Sequence, residues 1–82
     1  MKIMIESMLI DAAKDIVDSA HKLVQFNIED MEYMPYDVQD MSVVADWLYT
    51  LSVDHDADLV IVNSASLRDK LTSLGIKTMR IE

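Results

Sequence analysis

Leu59-Val60-Ile61-Val62 is an unbroken apolar run with three β-branched residues, and its surroundings constrain the fold more than any other part of the chain. Asn63 and Ser64 follow it, both residue types that cap helix N-termini, and Leu67, Leu71 and Leu74 then recur at helical spacing. Gly75 stands at the position where a helix ends in a left-handed residue, and the IKTMRI segment from Ile76 to Ile81 resumes strand character. Strand, helix and strand are thus written in residues 59–81. A helix joining two strands through short connections requires the strands to be parallel and the crossover right-handed. A strand that is apolar at every position must be covered on both faces, so 59–62 is predicted to be a central strand of a parallel sheet.

The rest of the chain is read around that unit. Residues 1–5, MKIMI, suit a buried strand. From Ser7 the period changes: Leu9, Ala12, Ala13, Ile16, Val17, Ala20, Leu23 and Val24 keep one helix face, opposite Asp11, Lys14, Asp15, Asp18, Ser19, Lys22 and Gln25. The spacing predicts one helix through Val24, with His21 near its C-terminus. Residues 27–40 contain Pro35 and many carboxylates and are predicted to be a loop, with a short strand near Met31 to Met34. Asp37 or Asp40 then caps a second helix in which Met41, Val44, Ala45, Leu48 and Leu51 keep helical spacing to about Ser52. The expected architecture is a single α/β domain over 1–82, of order β-α-(β)-α-β-α-β. Its sheet has three or four mostly parallel strands and about three helices.

Charge is segregated. Between Lys22 and Arg68 lie 45 positions with nine carboxylates and no Lys or Arg, so the net charge of −8 divides into −1 for residues 1–22, −9 for 23–67 and +2 for 68–82. Such a field favours a basic protein surface and disfavours nucleic acid or an anionic membrane. The absence of cysteine excludes disulfides, thiolate nucleophiles and cysteine-based metal sites. With no signal-like apolar stretch and no apolar run near the roughly 18 residues of a membrane span, the expectation is a soluble, cytoplasmic protein without membrane insertion.

In a parallel sheet, ligand sites form beyond the C-terminal strand ends. That edge should collect Glu6, Ser7, Asn63, Ser64 and Glu82, while Asp54, His55, Asp56 and Asp58 fall on the opposite one. Asp54, Asp56 and Asp58 offer alternating oxygen ligands, but a calcium loop starting at Asp54 would need Gly at Leu59 and Glu at Ala65. They are read as a solvated turn, with no metal assigned. Asn63 and Ser64 hold the position where a strand-to-helix turn binds phosphate, yet no glycine allows close backbone approach, so they are read as capping residues. No catalytic residue and no cofactor are assigned. Tyr33, Met34 and Tyr36, with Asp30, Glu32, Asp37 and Asp40, combine adaptable apolar groups with negative charge and are the predicted partner-binding surface. Arg68, Lys70, Lys77 and Arg80 form a basic tail that could dock on the acidic middle of a second copy.

The chain ends together resemble a PIN-type nuclease domain. MKIMIESMLIDAA is similar to that family's opening strand, acidic residue and helix start, and LVIVNSASLRDKLTSLGIKTMRI to its late strand, turn, helix and closing strand. The resemblance implies a shared fold with an incomplete metal site: the first acid is Glu6, Ser64 stands where an acid is expected, and the middle is short. The implied outcome is no nuclease activity. In size, acidity and methionine content the chain also resembles small bacteriophage accessory inhibitors and cytoplasmic antiholins. These imply a non-catalytic protein that binds and restrains a basic partner, with DNA mimicry as a sub-case.

Overall fold

The structure, a computed structural model, describes residues 1–27 and 41–81. Among the described residues four strands, β1 (Lys2–Glu6), β2 (Lys22–Phe26), β3 (Leu59–Val62) and β4 (Thr78–Arg80), form one all-parallel sheet in the order β2-β1-β3-β4. Three α-helices connect them: α1 (Lys14–Asp18), after a 3₁₀ turn at Ser7–Leu9, α2 (Met41–Asp54) and α3 (Ala65–Ser73). The α/β class and the parallel sheet are as the sequence predicts.

Strand alternation divides the core in two. Ile3, Ile5, Leu59 and Ile61 face Leu9, Ala13, Ile16 and Val17, so the β1-to-β2 crossover covers one side. Met4, Val60, Val62 and Phe26 face Val44, Ala45, Leu48, Leu67 and Leu71, so α2 and α3 cover the other. β3 is buried at every residue, as a central parallel strand must be. The chain turns one way from β1 to β2 and the other way from β3 to β4. Right-handed crossovers that run in opposite directions put their helices on opposite faces, which is the arrangement found.

The predicted long first helix is corrected. Only Lys14–Asp18 is α-helical, and Lys22–Phe26 is a strand paired in parallel with β1, from Lys2↔Lys22 to Glu6↔Phe26. Leu23 and Val24, assigned to one helix face, point to opposite sides of the sheet: Leu23 packs with the Ile3 cluster and Val24 with the Met4 cluster. The physical reason is the unpaired edge that β1 would otherwise present, which pairing with β2 satisfies along its length. His21 accordingly precedes a strand instead of ending a helix, and its N–H donates to the Met1 carbonyl (3.1 Å). The bracketed strand of the expected order is filled by β2; the strand expected at Met31 to Met34, and the Asp37 or Asp40 cap, lie outside the described residues.

Both long helices end in the same way. At the end of α3, Gly75 has φ +89°, its N–H donates to Thr72 O (3.0 Å) and that of Ile76 to Leu71 O (3.1 Å). At the end of α2, Asp56 takes the left-handed position (φ 55°), with Asp56 N–H on Val53 O (3.2 Å) and Ala57 N–H on Ser52 O (2.9 Å). These are two Schellman closures, one with the expected glycine and one with an aspartate, a residue that tolerates positive φ. Among the described residues no helix is long and apolar enough to cross a membrane.

Candidate functional site

The strand order places the reversal of chain direction between β1 and β3, and in open parallel sheets the crevice at such a switch point is where ligands bind. Glu6 ends β1 there and Asn63 follows β3. Glu6 is only 6% exposed, and its Oε1 accepts the Asn63 backbone N–H at 3.4 Å, a long and weak bond. Burial pushes its carboxyl above the ordinary value, and the Asn63 N–H partly offsets that.

The other residues predicted for this edge are drawn into structural bonds. The Ser64 hydroxyl caps α3 by accepting Leu67 N–H (3.2 Å). The Asn63 side-chain amide donates to Ile81 O (3.1 Å), while Arg80 Nε donates to Asn63 O (2.9 Å). Ser7 Oγ donates to Phe26 O (3.4 Å). The edge therefore ties the ends of all four strands together. The Asn63 backbone N–H, just before the start of α3, donates to Glu6 Oε1 and is not kept for an anion. Glu82 lies outside the described residues. Arg80, read from the sequence as part of a basic tail, reaches this edge only through the strand pairing that brings β4 next to Asn63.

At the opposite edge, Asp54 ends α2 and Asp56 and Asp58 lie in the turn into β3, as expected. Asp58 Oδ2 accepts the Lys2 backbone N–H (2.8 Å), closing the entry to β1, and Asp56 lies 3.7 Å from Lys2 Nζ with its side chain 91% exposed. Among the described residues no group of three or more acidic, histidine or cysteine side chains is placed to hold a metal ion. The predicted partner surface at Asp30, Glu32, Tyr33, Met34, Tyr36, Asp37 and Asp40 lies outside the described residues. Of the nearby aromatics, Trp47 is half-buried and packs edge-on against Phe26, with ring centroids 6.3 Å apart, whereas Tyr49 is exposed.

One feature of this side was not read from the sequence. Tyr49, Ser52, Val53, Asp56, Ala57, Asp58, Leu74, Gly75, Ile76 and Lys77 line an open groove of about 510 Å³ between the ends of α2 and α3. α2 continues two residues beyond the expected Ser52, and the extension carries Val53 outside the apolar stripe of Val44, Ala45, Leu48 and Leu51. That mismatch of an apolar residue with the polar side of its helix was the available signal. No protein-family model matches the chain, and comparisons with curated proteins and with solved structures find no match to it.

Proposed function

We propose that this chain is a non-catalytic, acidic interaction protein that binds and regulates or inhibits a basic protein partner, as small phage-encoded inhibitors and antiholins do. The observation that carries the reading is the segregation of charge, with nine carboxylates and no Lys or Arg across residues 23–67. The use of Glu6, Asn63 and Ser7 in bonds between strand ends, and of Ser64 in capping α3, supports a structural role for groups that an enzyme would keep for substrate. In this reading the protein acts in the cytoplasm, and its partner contacts are weakened by salt. Affinity capture from the native cell at about 50 and about 500 mM salt tests it. The expected result is a basic partner retained at low salt and released at high salt; acidic partners alone, or retention independent of salt, would refute it.

A second reading is a minimal or degenerate PIN-like metal-dependent nuclease or a phosphate-binding α/β domain. The position of Glu6 and Asn63 at the switch point favours it. Its test is Mg²⁺- or Mn²⁺-dependent RNA cleavage by the pure protein that disappears in Glu6→Gln; absence of cleavage removes the nuclease form of this reading.

A further inference from the structure

We propose that residues 19–25 exchange between two states, the turn and β2 strand described above and a continuation of α1 as one helix, and that this exchange closes and opens the edge of β1. The switch is built into the chain whatever partner it binds.

The helical state is written in the sequence. Leu9, Ala13, Ile16, Val17, Ala20, Leu23 and Val24 keep one helix face, and neither proline nor glycine stands between Ser7 and Phe26. Asp18 and Lys22 are four apart with the acid on the N-terminal side, the favourable order for an ion pair along a continuous helix.

The structure places no stop signal where α1 ends. Helices α2 and α3 close on the left-handed residues Asp56 and Gly75, whereas Ser19, after α1, stays in the right-handed helical region (φ −84°, ψ −10°). The Ser19 N–H still donates to Ile16 O (3.1 Å) and that of Ala20 to Val17 O (3.0 Å), so the helical winding continues past Asp18. It is His21 that breaks away, its N–H donating to Met1 O (3.1 Å) as the pairing of β2 with β1 begins.

Both segments are lightly anchored. Helix α1 has no side-chain cap at Ala13 and no fully buried residue. In β2, at one end of the described strand order, Lys22 and Gln25 are exposed, Leu23 and Val24 are half-buried, and Phe26 alone is buried. Leu23 packs with the Ile3 and Ile5 cluster that Ile16, Val17 and Ala20 also join, so a continuous helix keeps it on the same side of the sheet. Val24 and Phe26 pack with the opposite cluster, Phe26 edge-on against Trp47, and these contacts with the β1 pairing hold the strand state. Release of β2 leaves the outer N–H and C=O groups of β1 unpaired.

The test is chemical-exchange saturation transfer NMR on the whole chain, read at the Cα carbons. A minor state with helical shifts at residues 19–25 is expected, with the shifts of α2 and α3 unchanged in it. Two double variants at the exposed Lys22 and Gln25 set its population: Lys22→Ala/Gln25→Ala favours the helix, and Lys22→Thr/Gln25→Thr favours the strand. Both remove the same charge and leave Leu23, Val24 and Phe26 in place. The helical population should be about tenfold higher in the alanine variant than in the threonine variant. Equal populations, or no minor state in the alanine variant, overturn the proposal. So does a minor state with strand or coil shifts at 19–25, or one in which α2 and α3 also lose their shifts, since that is unfolding of the whole domain.

Discussion

Glu6 is the residue at which sequence and structure converge most closely. Its place at the end of β1 follows from the apolar run before it, but its environment comes from Asn63, 57 positions away. Because burial raises its pKa, the folded state holds the proton more tightly than the unfolded chain does. Its contribution to stability is therefore most favourable below the ordinary value of 4.5 and is lost as pH rises through the higher folded value. Glu6→Gln keeps an oxygen that can accept the Asn63 N–H and removes the buried charge. The expected outcome is that the variant gains stability relative to the parent between pH 4 and pH 7, measured by urea unfolding at both. An identical difference at the two pH values would refute the assignment.

Among the elements, α3 and β2 behave oppositely. The start and end of α3 can be read from Ser64 and Gly75 because a cap and a left-handed terminus depend on residues within a turn of each other. Ser64→Ala should cost about 1 kcal/mol. Gly75→Ala should cost about 1 kcal/mol as well, since a Cβ there meets nothing within 4 Å and only the positive φ opposes it. For a domain of this size, each should lower Tm by about 4–8 °C in calorimetry. β2 could not be read this way. The sequence KLVQF satisfies a helical stripe continuing from Ile16 and Ala20, and also the alternation of a strand whose Leu23 and Val24 serve opposite faces. Local pattern fits both, and the decision belongs to β1, which needs a partner. Phe26 reports on it: buried at the end of β2 against Trp47, it should cost about 3–5 kcal/mol as Phe26→Ala, while Gln25→Ala on the exposed side should stay within about 0.5 kcal/mol. Equal, small costs in denaturant unfolding would contradict the strand.

For the whole molecule, the dominant long-range interaction is self-repulsion from a net charge of −8. The described ion pairs, Lys2 with Asp56 and Arg68 with Asp69, are at the surface and contribute little against it. Stability in urea should consequently rise as sodium chloride goes from about 10 to about 500 mM, because screening at a Debye length below about 10 Å removes repulsion faster than it removes those pairs. A midpoint that falls with salt would mean that attractive pairs dominate. The same negative charge is spread over residues 23–67: Asp56 and Asp58 stand exposed on the lining of the α2–α3 groove together with Lys77, whereas the switch-point edge has its carboxylate buried.

Residues 59–81 carried their own structure, and with it the parallel sheet, because strand burial, capping and helix termination all act over a few residues. The same locality made the negative charge of the middle readable and excluded cysteine chemistry. The strand at 22–26, the Glu6–Asn63 contact and the groove under Tyr49, Val53 and Leu74 were settled only by tertiary structure. Each depends on groups far apart in the chain, and nothing in one segment records which distant backbone edge, N–H group or helix end will meet it.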